Sequence, residues 1–201
     1  MRSQPSVLRC SRCGKLVDWP LARLSVICDC KPHYELPVVL VRPAEPAEKD
    51  ATVALYQRDF GHTDLLQFGE IIPLEPLPAF VAEVRGELAG ALAYRWMPDA
   101  IHIVALATDP MWQRSGVGGQ LVEAAEGAAR RKGVQRIVVA TTNDNLPALY
   151  FYQRRGYHIS EVVTGAMGAD LARRYPEGVM GFAGIPVRDE IRLEKPVAPH
   201  S

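Results

Sequence analysis

Three groups of residues have the types and spacings that do chemistry. The first is Gln113-Arg114-Ser115-Gly116-Val117-Gly118-Gly119, which follows an apolar run from Ile101 to Ala107 and the break Thr108-Asp109-Pro110. A strand that delivers glycines into a helix start leaves the unpaired N–H groups of the first turn pointing outward. With no Cβ in the way, a phosphate can approach that backbone, so the stretch predicts an anion site. Arg114 would add a charge-assisted contact. The second group is Asn145-Leu146-Pro147-Ala148, then Tyr152 and Gly156-Tyr157. Asn145, Ala148 and Tyr152 at i, i+3 and i+7 share one stripe of a helix. A polar, a small and a phenolic residue make a poor core stripe but a good groove wall. The third group holds all four cysteines, Cys10-x-x-Cys13 and Cys28-x-Cys30. Four thiolates suit tetrahedral zinc, and His33 is an alternative ligand if the short second spacing strains the site. Clustering of this kind favours metal over a disulfide framework.

These groups need elements to position them. Apolar spacing predicts a helix over 116–132, with Val117, Leu121, Ala124, Ala125, Ala128 and Ala129 on one side and Gly133 as its stop. A short helix over 146–155 carries the Asn145 stripe. Strands are predicted over 38–41, 79–85, 88–96, 100–107, 135–140, 157–163 and 185–193, with a hairpin at Arg85-Gly86-Glu87. A helix over 48–60 places Val53, Tyr56 and Phe60 at helical spacing, and Asp170 to Tyr175 is a shorter helical piece. Pro73, Pro76 and Pro78 mark a non-regular passage. The order predicts an α/β fold with a mixed sheet rather than a doubly wound parallel one. The expected domains are a zinc-ribbon-like module over 1–36, a main domain over 37–195 and a tail over 196–201.

The 201 residues are 48% hydrophobic and 23% charged, ordinary for a soluble globular chain. Twenty-three basic and 23 acidic side chains cancel, so no global field recruits nucleic acid or a membrane surface. No apolar run reaches a membrane span, and Arg2, Arg9 and Arg12 interrupt any signal-peptide core. A cytoplasmic protein is expected. Residues 1–35 carry six basic and three acidic side chains. Zinc with four thiolates would bring that surplus down to about +1, too little for nucleic-acid binding by charge. A structural cap, partner dock or acceptor-recognition piece is the expected role.

Over 37–195 the chain resembles the GCN5-related N-acetyltransferase (GNAT) family. The family pattern Gln/Arg-x-x-Gly-x-Gly/Ala matches Gln113-x-x-Gly116-x-Gly118. The pattern Asn-x-x-Ala-x-x-x-Tyr-x-x-x-Gly-Phe matches Asn145, Ala148, Tyr152 and Gly156, with Tyr157 in place of Phe. Val41-Arg42-Pro43-Ala44 followed by Asp50 also resembles the family opening. The resemblance implies a mostly antiparallel sheet flanked by helices, with acetyl-CoA as co-substrate and a primary amine as acceptor. The strand residues Leu106, Ala107 and Thr108 would align the pantetheine arm and polarise the carbonyl, with Asn145 on the arm and Tyr152 at the leaving sulfur. Where several family members carry a basic glutamate, this chain has His102; Glu70 is the second candidate for the base. Zinc would be structural, since four protein ligands leave no open position.

Two other readings stand beside this enzyme. One is a CoA-binding sensor or adaptor whose ribbon docks a protein partner, with little turnover. The other is an acetylase of protein amines, its ribbon gripping the acceptor. Small-molecule and protein acceptors are both open, as is a homodimer. The segments 62–78 and 165–184 are the expected acceptor walls.

Overall fold

The computed structural model of the protein describes residues 7–9, 16–18 and 38–197. The chain divides into two compact units, Met1–Pro37 and Val38–Ser201. In the first, β1 (Val7–Arg9) pairs antiparallel with β2 (Leu16–Asp18). Cys10, Cys13, Cys28, Cys30 and His33 lie outside the described residues.

The second unit is built on a seven-stranded sheet. Its strands are β3 (Val39–Pro43), β6 (Ala79–Val84), β7 (Glu87–Trp96), β8 (Ala100–Thr108), β9 (Arg136–Thr142), β10 (His158–Val163) and β11 (Glu190–Pro196). The spatial order is β10-β11-β9-β8-β7-β6-β3, antiparallel throughout except for the β8–β9 pair. This is the mixed, mostly antiparallel α/β architecture expected from the resemblance.

That parallel pair sets up the site. The β8–β9 ladder runs only from Ala100↔Arg136 to Ile103↔Val139. Beyond it β8 stays with β7 up to Gly90↔Thr108, while β9 stays with β11 up to Glu190↔Thr142. The sheet therefore splits into two halves and opens a wedge between them. A bulge at Val104 accompanies the split, because Ala93 faces Ala105 while Tyr94 faces Ile103. An extra residue of this kind bends the strand and increases its local twist.

Each face of the sheet carries its own core. On one lies α2 (Val117–Lys132), which buries Val117, Leu121, Val122 and Ala125 against Leu92, Ile101, Ile103, Ile137 and Leu193. Each of the larger side chains contributes roughly 1.5–3 kcal/mol by leaving water. Gly133, at φ 75°, ends the helix by donating to Ala129 and Arg130 carbonyls, and three basic residues in the last turn complement the dipole. The other face is covered by α1 (Lys49–Phe60) and a separate hairpin, β4 (Asp64–Gln67) with β5 (Glu70–Pro73). There Leu55, Tyr56, Ile72 and Leu74 meet Val81, Ala91, Val104 and Ala107.

Two short helices complete the unit, α3 (Leu146–Gln153) and α4 (Gly168–Arg174). Two stretches add to or correct the expected elements. The passage before Pro73 is the β4–β5 hairpin, turned by Phe68 and Gly69 at φ 53° and 77°. The last strand begins at Glu190, not near 185, because Ile185 and Val187 belong to the loop that returns from α4. Among the described residues no helix is long and apolar enough to cross a membrane.

Candidate active site

The glycine loop is held from both ends. Asp109 Oδ1 accepts from the Met111 N–H at 2.9 Å, while Arg58 of α1 donates to Asp109 Oδ2 at 2.9 Å and to the Thr108 carbonyl at 3.1 Å. The Ser115 hydroxyl donates to the Trp112 carbonyl. Arg114 takes φ 64° and Gly116 φ 96°, so the chain turns sharply into α2. A left-handed non-glycine residue costs on the order of 1 kcal/mol, a strain that the surrounding bonds hold in place. The first-turn N–H groups of Val117, Gly118 and Gly119 have no acceptor within the helix, and the dipole adds positive potential there.

A residue far from the motif lets α2 sit this low. At Gly90, a Cβ would come within 2.9 Å of both the Ala107 carbonyl oxygen and Val117 Cγ1. The helix N-terminus thus rests directly on β7. Nothing in the periodicity of β7 marks Gly90 as special; only its being a glycine inside a strand is a signal.

The wedge beneath the loop is a cavity of about 430 Å³. Leu106, Thr108, Gln113 and Gly118 line one wall; Asn145, Ala148, Phe151 and Tyr152 line the other. A Cβ at Gly118 would stand 3.5 Å from the Phe151 ring and 3.6 Å from Thr108 Oγ1, ordinary contact distances, so the two walls approach closely there. Ala107 instead points into the α1-side core. Both sequence motifs thus converge on one cavity.

On the second wall Asn145 caps α3, its Oδ1 accepting from the Ala148 N–H at 3.1 Å. Asn145 also lines the cavity. Tyr152 is only 5% exposed. Its ring is wedged edge-on between Phe151 at 5.0 Å and Tyr157 at 5.2 Å. Burial pushes its hydroxyl well above the usual phenol range, so it holds its proton. Tyr150, two residues away, is exposed.

The expected bases lie elsewhere. His102 is fully buried behind Phe68, with ring centroids 4.8 Å apart. Its Nδ1 accepts from Arg95 Nε at 3.1 Å, and its Nε2 is buried without a partner. Burial, with the Arg95 charge adding to it, pushes its pKa down to about 3, so the ring is neutral and weakly basic. Glu70 is exposed and held by Arg95 Nη1 at 2.6 Å. Arg95 thus joins both candidates, and neither lines the wedge.

A second cavity of about 280 Å³ adjoins the first and shares Phe60, Gln67, Ala140, Thr141 and Asn145 with it. Its outer walls are the β4–β5 hairpin and α4, from the two segments expected to form acceptor walls. Arg174 closes them together, with Nη2 to Asp64 Oδ2 at 2.6 Å and Nε to Asp170 Oδ2 at 2.8 Å. His62 Nε2 and the Tyr175 hydroxyl add a bond at 2.6 Å. The loop after α4 is tied back by Asn143 Oδ1, which accepts from the N–H groups of Arg188 and Asp189. Two residues of this cavity escape sequence reasoning, Gln67 and the buried Glu190. The alternation of Asp64 to Gln67 with Glu70 to Pro73 about Phe68-Gly69 is the signal that would have placed Gln67. Glu190 has none, because a lone acid in a strand reads as solvated.

Among the described residues no cluster of three or more histidine, cysteine or acidic side chains is arranged to hold a metal.

Residues 45–157 match the model of the acetyltransferase (GNAT) family. The uncharacterized protein YxbD of Bacillus subtilis (strain 168) is 31% identical over 156 residues, covering 76% of this chain and 96% of its own. Among solved structures, a Bacillus subtilis acetyltransferase in complex with CoA superposes with a TM-score of 0.60 at 22% identity, covering 80% of this chain and 100% of that one. A GNAT family acetyltransferase from Elizabethkingia anophelis with acetyl-CoA bound gives 0.59 at 20% identity, covering 79% and 97%. The family model spans more than half of this chain and carries both motifs of the wedge: the chain belongs to the GCN5-related N-acetyltransferase family, whose members move an acetyl group from acetyl-CoA to an amine.

Proposed function

We propose that acetyl-CoA lies in the wedge between β8 and β9 and that an amine entering from the adjoining cavity attacks its thioester directly. The observation that carries this reading is the position of the split: it opens directly below the first turn of α2, with Tyr152 in its wall. The pyrophosphate would rest on the N–H groups of 117–119 beside Arg114. The pantetheine arm would lie along Leu106 to Thr108, with Asn145 Nδ2 donating to it.

In the reaction the amine nitrogen forms a bond to the carbonyl carbon and an oxyanion develops, which backbone N–H groups of β8 stabilise. The C–S bond then breaks and CoA leaves as thiolate. Tyr152 donates a hydrogen bond to that sulfur. Full proton transfer from a phenol to a thiolate is uphill by about 2 kcal/mol in water. Burial of Tyr152 raises that cost, so hydrogen bonding to the thiolate is its main role. The amine must arrive neutral. Buried His102 and the Arg95-bound Glu70 do not face it, and its proton leaves to solvent through the open acceptor cavity.

The same proposal gives Cys10, Cys13, Cys28 and Cys30 a structural zinc in a ribbon that recognises or docks the acceptor. A cytoplasmic setting, where thiols stay reduced, fits it. Reduced, exhaustively dialysed protein should hold about one zinc per chain; folded protein without zinc would contradict the ribbon.

The transfer is tested by mass spectrometry with acetyl-CoA and a panel of amines, with Tyr152→Phe in parallel. Acetylated product that collapses in the variant is expected. Tight acetyl-CoA binding without any product would instead favour the sensor or adaptor.

A further inference from the structure

Gln67 stands where the two cavities meet and lines both. Its residue is 8% exposed, and its Nε2 donates to the carbonyl of the bulged Val104 at 2.9 Å. That bond fixes the amide orientation, because a carbonyl can only accept. The Oε1 is therefore the free end of the amide, buried with no protein partner. A buried acceptor of this kind carries a desolvation penalty until a donor arrives. An attacking amine, whose N–H bonds must be oriented while its lone pair faces the thioester, is such a donor.

The chamber beyond Gln67 is acidic. Asp64, Asp170 and Glu190 line it against one guanidinium, Arg174, a formal balance of −2. Their partners outside the lining are Arg192 on Glu190 and Glu161, and Arg173 on Asp170. Counting these three brings the balance to −1. His62, the remaining titratable group on this wall besides Tyr175, is bound to the Tyr175 hydroxyl. Arg174 is spent: all three of its nitrogens bind Asp64 or Asp170. No lining cation among the described residues is left for a carboxylate on the acceptor. Glu190 is 3% exposed, and its oxygens receive Arg192 Nε at 2.6 Å and the Phe68 N–H at 2.9 Å. A carboxylate has further lone pairs, and those facing the chamber are free to accept.

We propose that the acceptor is a small amine carrying a second positive charge: Gln67 Oε1 receives an N–H of the attacking nitrogen, while the second ammonium sits in the chamber walled by Glu190, Asp64 and Asp170. This rests on the acetyl-transfer reading and narrows its acceptor. Selection follows from charge. A neutral tail gains nothing from the carboxylates, and a carboxylate beside the second amine meets like charge with no free cation to offset it.

The test compares cadaverine, pentylamine and lysine, which share a primary amine on a five-carbon chain and differ in what lies at the far end. With wild-type protein and acetyl-CoA, kcat/KM for cadaverine should exceed that for pentylamine and for lysine by about tenfold or more, the scale of one partly desolvated charge pair and beyond the statistical factor of two amines. Glu190→Gln should narrow the cadaverine-to-pentylamine ratio, chiefly through the KM of cadaverine. Gln67→Leu should lower kcat/KM for all three amines. Acetylation of pentylamine or lysine as efficient as that of cadaverine would overturn the dicationic acceptor and leave the transferase standing. Absence of transfer to any amine, with acetyl-CoA bound, would overturn both.

Discussion

The donor wedge and the acceptor chamber share a seam but are built on opposite plans. In the proposed reading the wedge would meet its ligand with backbone: first-turn N–H groups of α2 and the diverging edge of β8, which border the cavity. It is fixed by Arg58 on Asp109, by the Asn145 cap and by close packing at Gly90. The chamber is made of side chains from a hairpin and a seven-residue helix, clasped by ion pairs around Arg174. Backbone recognition constrains residue types at fixed spacing. Side-chain recognition leaves the chain free to vary, so a family can keep its donor and change its acceptor.

The contrast can be broken most strongly at the seam. Tyr152→Phe should lower kcat by on the order of 10²–10⁴ if the hydroxyl serves the leaving sulfur. Acetyl-CoA affinity by calorimetry should change little, because the variant keeps the ring. An equal loss of donor affinity would make Tyr152 a wall residue only. Next comes Gly90→Ala, which forces a methyl group against the Ala107 carbonyl and Val117. Overpacking of this kind costs typically 1–3 kcal/mol in chemical denaturation. Because α2 must rise, the KM for acetyl-CoA should rise while acceptor preference is kept.

How much of this was legible follows the same division. The glycine motif and the Asn145–Tyr152 stripe could be read because each residue type answers to a local backbone demand: a left-handed turn, a helix start, a cap. The helices over 48–60 and 116–132 follow from apolar spacing and match α1 and α2 within a residue or so. Gly90 was hidden, because its demand comes from a helix packed across the sheet. His102 was legible as a position but not as an environment; burial behind Phe68 depends on the β4–β5 hairpin, for which no strands were expected. Gln67 and Glu190 became site residues only through tertiary contact between β4, β8 and β11.

A subtler effect separates the clasp from the wedge. Arg174 holds the Asp64 carboxyl below its ordinary value. A carboxylate with a depressed folded pKa stabilises the protein above its unfolded pKa of about 3.9, and that contribution is lost as pH falls through the folded value. Denaturation below about pH 4 should therefore be shallower in Arg174→Met than in wild type, since the variant has already lost the pair. Its acceptor KM should rise at neutral pH with donor affinity kept. A rise in donor Kd of the same size would show that the two regions are not separable.

The smallest expected effect on activity concerns His102. Its folded pKa of about 3 lies below the unfolded value, so protons bind the unfolded state more readily between the two. Stability should fall as pH drops from about 6.5 towards 3, and His102→Asn should flatten that slope. The pH–rate profile should show no inflection near pH 6.5 that disappears in the variant. Such an inflection would return His102 to the role of base.

The central claim is that wedge and chamber form one continuous path meeting at Gln67. It is tested most directly by calorimetry with an analogue in which the CoA sulfur is joined through a –CH2–CO– bridge to cadaverine. One ligand filling both sites avoids the entropy of assembling two, so binding on the order of 10²-fold or more tighter than CoA is expected, with the gain diminished by Gln67→Leu. Affinity equal to that of CoA alone would mean that the chamber does not open onto the thioester, and would contradict the account.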